Sequence, residues 1–354
     1  MTTSLLNLPP ELLVNILSFL PIPALLKFSE TCHCSHGLAN SSLHTLSLGI
    51  HPTRVSGIIS RLAATQYASP KLIGSAFSLP NQSSNSILYD RAGTYDKRRN
   101  FSTSELLSSN DPYKVSVLIP DSQVFEYVTL LSFHTALTKS ILLRHGGTLR
   151  NLDLSLWTLT KPIAKALSNL TAVRALSIRI EEFPHVRAVP RSRIARQRVH
   201  EREAWDVLTS QAIWAPRVTA LRLEGGELDT AQLTTLLSKS RWCRELWVCK
   251  CPGVGKEVWS FLANEWEGRT ALKILGVMKC GSQLDEAVLE MIGELKGLQF
   301  LTLHGCRGLD SDVVEEWNRD VWKIPEVIPP FTMVKHIDPS TIIEVDPAYL
   351  ISND

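Results

Sequence analysis

Cysteines and histidines in two groups are the residues whose types and spacing could support chemistry. The first group is Cys32, His33, Cys34 and His36, and the second is Cys249, Cys251, Cys280 and Cys306. A structural zinc site would need pairs roughly two to four residues apart, within a set of ligands that converge. In a helix the first group would point around the axis, and most of the second group follows the spacing of a repeat. We therefore predict no metal site and no cofactor.

No catalytic constellation stands out among the other polar residues. An enzyme would need a nucleophile beside a base, paired carboxylates or a phosphate-binding loop. The sequence contains no Gly-x-Ser-x-Gly, no phosphate-binding Gly-Lys-Ser/Thr and no His-Glu-x-x-His. Its 10 histidines are scattered without a partnered spacing. We therefore expect a protein that is not an enzyme.

Composition and charge bound the class of protein. The chain has 354 residues, of which 44% are hydrophobic and 20% charged, as in globular proteins. A net charge of +2 is too small to favour nucleic acid or an anionic membrane as a partner. No apolar run is long enough to span a bilayer. The first residues lack the basic segment of a signal peptide, and the 7 cysteines are an odd number, so we expect reduced thiols in the cytoplasm, the nucleus or both.

Residues 8–43 predict three short helices. Pro9 and Pro10 suit the first turn of a helix, where a missing N–H costs nothing. Apolar residues then recur at helical spacing, namely Leu12, Leu13, Ile16, Leu17 and Leu20. Prolines at positions 21 and 23 end this helix and begin the next one. A unit of about forty residues cannot bury a large core, so we expect it to expose an apolar surface for a partner.

The motifs in this stretch resemble those of the F-box family. They are Leu-Pro-x-Glu from Leu8, Ile-Leu-Ser-Phe-Leu-Pro from Ile16, and Leu-Leu-x-Phe-Ser-x-Thr-Cys from Leu25. Ser35 stands where that family often has a tryptophan. The resemblance implies a module that docks on a Skp-type adaptor and so joins a cullin–RING ubiquitin ligase. The docking residues it implies form a helix-in-groove contact and are Leu8, Pro9, Glu11, Leu12, Ile16, Leu20 and Leu25.

A repeat follows from about residue 149 onward. Six segments fit the pattern apolar-x-x-apolar-x-apolar, and their middle positions are Leu152, Leu176, Leu221, Leu246, Leu275 and Leu301. Four of the five gaps between them are about 24 to 29 residues, which is the period of a leucine-rich repeat. Three repeats end in x-x-Cys, at Cys251, Cys280 and Cys306. This ending resembles the cysteine-containing subclass of leucine-rich repeats.

These elements predict an α/β chain in which a three-helix F-box-like module precedes a curved leucine-rich-repeat solenoid, with parallel strands inside and helices outside. The predicted divisions are the module at 1–45, irregular or degenerate repeats at 46–135 with a mobile polar loop near 80–111, the solenoid at 136–323, and a tail at 324–354. The longest gap holds an arginine-rich insertion at 181–215. It has three interpretations: a solvated helix, a docking element for an acidic partner, or a nuclear-import signal.

The phase of the repeat also indicates a binding surface, because side chains alternate between the two faces of a strand. Trp247, Met278 and Phe300 would form an apolar patch on the concave face, and aromatic residues with charged neighbours are typical of binding hot spots. The candidate substrate-binding residues are Arg222, Glu224, Glu245, Trp247, Met278, Phe300 and His304. Alternatively, the insertion or the tail covers these residues and makes them part of the core.

Together, these patterns predict the substrate-recognition subunit of a cullin–RING ubiquitin ligase of the SCF type. It would bind the Skp-type adaptor through its first helices and an unknown protein substrate through its repeats, without nucleic acid or membrane as partners. The alternative is a non-catalytic leucine-rich-repeat scaffold whose N-terminal helices are only a structural cap.

Overall fold

The computed structural model describes residues 8–52, 111–119, 125–181, 190–281 and 283–330. The polar loop predicted near residues 80–111 lies outside these residues except for its last position, as does the predicted tail beyond residue 330. Within the described ranges the chain folds as three N-terminal helices followed by a single parallel sheet with helices. The predicted fold class is confirmed.

The N-terminal module consists of α1 (Pro10–Leu17), α2 (Ile22–Ser29) and α3 (His33–Ser42). Proline occupies the first turn of both α1 and α2, where its missing N–H has no acceptor to lose. Leu17, Leu25 and Ala39 form the module's own small core, one residue from each helix. The three short helices predicted from the sequence are therefore present and packed on one another.

Nine parallel strands form the sheet, in the spatial order β2-β1-β3-β4-β5-β6-β7-β8-β9. They are β1 (Thr45–Pro52), β2 (Lys114–Ile119), β3 (Asn151–Leu156), β4 (Ala175–Ile180), β5 (Ala220–Glu224), β6 (Glu245–Cys249), β7 (Ile274–Met278), β8 (Phe300–Thr302) and β9 (Glu326–Ile328). The six predicted repeat segments are β3 to β8. Their middle leucines are direct register partners from Leu152 through to Leu301, which fits a repeat solenoid.

Among the described residues, seven α-helices follow the strands from β2 onward. They are α4 (Tyr127–His145), α5 (Lys161–Ser168), α6 (Arg191–Gln211), α7 (Thr230–Leu237), α8 (Glu257–Ser260), α9 (Glu286–Gly293) and α10 (Ser311–Trp317). Asp229 caps α7 in a full capping box with Gln232, and the Asp285 carboxylate accepts the Val288 N–H at the start of α9, as aspartate does at helix N-termini. One continuous apolar core runs between the sheet and the helices from Leu46 to Ile324.

The backbone turns left-handed at one equivalent position in four successive repeats. These positions are Gly225 (φ +75°), Lys250 (φ +53°), Lys279 (φ +51°) and Gly305 (φ +72°). Each backbone N–H there donates to a carbonyl of the next repeat or of the segment that follows it, as from Gly225 to Cys249 at 2.8 Å. Two lysines therefore adopt a conformation that normally favours glycine.

Cysteine follows this turn in the last three of these repeats. The Sγ atom of Cys280 lies 3.3 Å from the Val248 carbonyl oxygen, and that of Cys306 lies 3.2 Å from the Val277 carbonyl oxygen. Cys251 occupies the equivalent place one repeat earlier and is fully buried. Burial raises the pKa of the Cys306 thiol to about 12. These thiols are therefore packing groups and weak donors to backbone carbonyls.

Tryptophans join the outer helices in pairs. The indole Nε1 of Trp214, after α6, donates to the Leu167 carbonyl of α5 at 3.0 Å. Trp266, after α8, makes the same kind of bond to the last residue of α7 at 2.8 Å, and Trp322, after α10, makes it to Leu289 of α9 at 3.0 Å. Each indole thus reaches back across one repeat to the helix before it. The pairs α5/α6, α7/α8 and α9/α10 are linked in this way.

Candidate functional site

The N-terminal module has an inner face and an outer face. On α1, Leu13 and Leu17 are buried, whereas Leu12 and Ile16 are exposed on the other side of the helix. Both pairs are spaced by four residues, so each pair occupies one face of the helix. The outer face therefore carries large apolar side chains that the module does not bury itself.

The outer apolar face comprises Leu8, Leu12, Ile16, Phe19 and Leu26, all of which are exposed. Phe19 is the most exposed of them, with 80% of its surface open to solvent. Large apolar side chains left exposed on a small unit indicate a surface available for a partner. We refer to these five residues as the outer apolar face.

Five of the seven predicted docking residues lie on this exposed side: Leu8, Pro9, Glu11, Leu12 and Ile16. Leu20 is half-buried, and Leu25 is only 5% exposed because it packs into the module core. Its neighbour Leu26 is exposed, and a docking role for the seven residues stays a prediction. Phe19 and Leu26 were not singled out from the sequence, although Phe19 lies three residues after Ile16, at helical spacing.

The module also packs against the sheet, through a different side. Ile22 at the start of α2 is buried in the core of the solenoid, and its N–H donates to the Pro112 carbonyl at 3.0 Å. Leu43, after α3, packs against both cores. These contacts fix the module to the solenoid. Because they do not involve the outer apolar face, that face stays exposed.

Ser35 stands at the position of α3 where the F-box family often has a tryptophan. It is buried, and its backbone N–H donates to the Cys32 Sγ at 3.4 Å, which makes Cys32 the cap of α3. Hydrogen bonds from Ser35 lower the pKa of the Cys32 thiol. A small buried residue, whose backbone N–H donates to the helix cap, therefore stands at this position of the third helix.

On the concave face of the sheet, the predicted apolar patch exists. The rings of Trp247 and Phe300 lie 5.7 Å apart, and Met278 packs against the same cluster. Trp247 lies over Gly276 on the next strand, where an added Cβ would clash with the indole ring. Glycine at that position is therefore what allows the indole to lie across β7.

The predicted charged residues beside the patch are tied to one another. Arg222 donates to Glu224 at 2.6 Å, Lys250 donates to the other oxygen of Glu224 at 2.7 Å, and Trp247 donates to Glu245 at 2.8 Å. Burial alone would raise the pKa of Glu224, but Arg222 and Lys250 lower it to about 2. These side chains form a fixed network.

Burial divides the seven candidate substrate-binding residues. Arg222, Glu245, Trp247 and Phe300 are buried, with Trp247 only 2% exposed. The half-buried members are Glu224, Met278 and His304. The four buried residues match the alternative in which this patch is core, and a role in substrate binding stays a prediction for the whole set.

The side chains that could ligate a metal do not converge in the described residues. Within those ranges, no three or more His, Cys, Asp or Glu side chains are grouped so that they could hold a metal ion. All seven cysteines are free thiols, and only Cys32 and Cys34 are exposed. In the same ranges, no helix has the length and apolar character needed to cross a bilayer.

Comparison with known protein families identifies an F-box-like domain at residues 5–45. The match covers α1, α2, α3 and the whole outer apolar face. A search of curated proteins finds no significant match to the chain. The domain supports an F-box protein, and F-box domains generally bind Skp-type adaptors.

Proposed function

We propose that this chain is the substrate-recognition subunit of an SCF-type cullin–RING ubiquitin ligase. The observation that carries the proposal is the outer apolar face within the F-box-like domain. A Skp-type adaptor would cover this face as a groove covers an amphipathic helix. Leu12, Ile16 and Phe19 would be its central contacts, since large side chains that become fully desolvated contribute most to binding.

The solenoid would act as the substrate receptor. In support of a leucine-rich repeat of the cysteine-containing type, Cys251, Cys280 and Cys306 occupy one repeat position and all approach backbone carbonyls of the preceding strand. Because Ile22 anchors the module in the solenoid core, a substrate held by the repeats would keep a fixed position relative to the adaptor. We propose that the chain contributes this proximity and no chemistry of its own.

The second candidate is a repeat scaffold whose N-terminal helices only cap the solenoid. It is favoured by the burial of Ile22 and by the Ile22–Pro112 hydrogen bond, which are what a cap requires. A cap alone does not account for five large apolar side chains left exposed on the opposite side. Under either candidate, reduced cysteines are consistent with a place in the cytoplasm or nucleus.

Co-purification of the full chain with a Skp-type adaptor tests the proposal. The wild-type chain is expected to bind, and the double variant Ile16→Asp, Phe19→Asp is expected to lose binding, because two carboxylates would have to be desolvated in an apolar groove. Both positions are exposed, so the variant should retain the wild-type melting temperature. Leu143→Asp, an equally exposed leucine on α4, is the matched control and should still bind.

Three results would separate the candidates. Loss of binding in the double variant alone supports adaptor docking through the outer apolar face. Binding that survives in the double variant contradicts that face as the docking site. A wild-type chain that does not bind any Skp-type adaptor favours the structural cap.

A further inference from the structure

Helix α6 is much longer than its neighbours. It has 21 residues, whereas α5, α7 and α9 each have 8, which makes α6 about 30 Å long compared with about 12 Å for each of those. Its five buried residues all lie at or beyond Glu201, in the second half of the helix. Residues 190–215, predicted as part of an insertion, thus supply the outer helix of their own repeat and carry an extension of about ten residues in front of it.

The extension is exposed on most of its surface. Between Arg191 and His200 only Ile194 and Gln197 are half-buried, and the rest are exposed. Gln197 accepts a hydrogen bond from the Tyr127 hydroxyl at 2.9 Å, which holds the extension beside the start of α4. The extension is therefore a fixed element of the surface.

The positive charge of α6 comes from arginines and not from lysines. They are Arg191, Arg193, Arg196, Arg198 and Arg202. Arg198 and Arg202 share the single carboxylate of Glu227, with separations of 3.3 Å and 2.9 Å. Among the described residues, Arg191, Arg193 and Arg196 form no ion pair, and residues 190–200 contain no acidic side chain. Within the part of the chain that the structure describes, the extension thus carries more positive charge than its ion pairs neutralise.

This charge lies at the end of the helix where it is least favourable. The N-terminus of a helix carries a partial positive charge, so acidic residues stabilise it and arginines do not. No acidic residue occupies the first turn of α6, and Pro190 provides no side-chain cap. A negatively charged group bound here would meet both the arginines and the positive end of the helix.

We propose that Arg193 and Arg196, which lie three residues apart on one face of the helix, and Arg191 in its first turn form a docking surface for an acidic segment of a protein partner, carrying clustered carboxylates or phosphoserines. Arginine binds such oxyanions through two parallel N–H bonds, which lysine cannot do. Glu203 follows the three arginines on the helix, and Glu227 pairs with Arg198 and Arg202, so the positive surface ends on that side. It fits a short acidic segment better than a nucleic-acid backbone, which would run past both carboxylates. The inference rests on the proposed function, since that partner would be a substrate.

Fluorescence anisotropy with labelled peptides tests this inference on the full chain. The probes are hexaglutamate, a peptide of equal length with alternating phosphoserine and glutamate, and hexaserine; a single-stranded oligonucleotide and phosphatidylserine vesicles complete the set. At least one acidic peptide should bind, and hexaserine should not. The triple variant Arg191→Gln, Arg193→Gln, Arg196→Gln should bind the acidic peptide about tenfold more weakly. This is the loss expected when three solvent-exposed charge contacts are removed.

Arg241→Gln is the matched control, because Arg241 is an exposed arginine on another repeat. Glutamine keeps a good helix propensity, so the triple variant should melt no earlier than wild type. Two results would overturn the inference. One is equal binding of the acidic peptide by the wild-type chain and the triple variant. The other is an oligonucleotide or vesicle that binds the wild-type chain more tightly than the acidic peptide does and that the triple variant binds more weakly.

Adaptor binding of the same variants separates the two proposals. A triple variant that still binds the adaptor but loses the peptide supports the arginine surface. A wild-type chain that binds the peptide but no adaptor refutes the proposed ligase role and leaves the arginine surface standing.

Discussion

Acid should destabilise this protein through one histidine in particular. His134 on α4 is fully buried, and its ring stacks on Trp157 with the ring centres 4.7 Å apart. Neither ring nitrogen has a hydrogen-bond partner among the described residues. Burial, with a smaller contribution from His51, lowers the pKa of His134 to about 4. The folded protein therefore holds this ring neutral at pH values where an exposed histidine is charged.

The size of the effect follows from the difference between the two pKa values. An unfolded chain binds a proton at His134 below pH about 6.5, whereas the folded chain does not until pH about 4. Stability is therefore lost as the pH falls through this window, and the whole difference corresponds to about 3 kcal/mol. By pH 5 roughly 2 kcal/mol of it should be gone.

His134→Phe is the decisive variant, because phenylalanine keeps a flat ring against Trp157 and cannot bind a proton. Urea unfolding at pH 7 and pH 5 should show that the variant loses less free energy of unfolding between the two pH values, by about 2 kcal/mol. His36→Phe, at an exposed histidine of α3, should leave the pH dependence near that of wild type. Equal pH dependence in wild type and His134→Phe would refute the reasoning, since the buried ring would then take up its proton in the folded state.

Two further substitutions test features of the repeats by thermal or urea unfolding. Gly305→Ala should lower the free energy of unfolding by about 1 to 2 kcal/mol, because the φ of Gly305 is +72°. Gly147→Ala should not lower it, because a Cβ there meets nothing within 4 Å. Equal effects of the two substitutions would argue against a strained turn at Gly305. Trp266→Phe should cost about 1 to 3 kcal/mol by leaving the Leu237 carbonyl without its indole donor. Trp242→Phe, at an exposed tryptophan, should change the free energy of unfolding little, and a comparable loss there would contradict the role of the indole bond.

The strands and helices of the repeats were predictable because local spacing determines them. The leucines from Leu152 to Leu301 recur at the repeat period, and their strands pair at those positions. Asp229 and Asp285 cap the helices that directly follow them in the sequence, which is a local arrangement. Strand β2 lies at the edge of the sheet, beside β1. This position was not predicted, because it depends on pairing between distant parts of the chain and not on a local sequence pattern.

The candidate sites were less predictable, since burial depends on what packs on a surface. Leu25 and Leu26 are adjacent leucines of one helix, and only the packing of α2 on α3 decides that the first is buried. Strand alternation correctly placed Trp247 near Phe300, but alternation cannot say whether a face is open. The arginines of α6 can be read from the sequence, but the sequence does not show which half of the helix packs on the repeats and which half stays exposed.

The paired tryptophans have a consequence for how the solenoid comes apart. In a simple repeat array each unit contacts its neighbours equally, and unfolding can advance one unit at a time. Here the loss of α10 also removes the Trp322 indole from α9, and the loss of the segment after α8 removes the Trp266 indole from α7. Unfolding from the C-terminal end should therefore weaken each helix that loses its indole donor before that helix itself unfolds. In evolution, gain or loss of a whole pair would preserve this bonding, while gain or loss of a single repeat would break it.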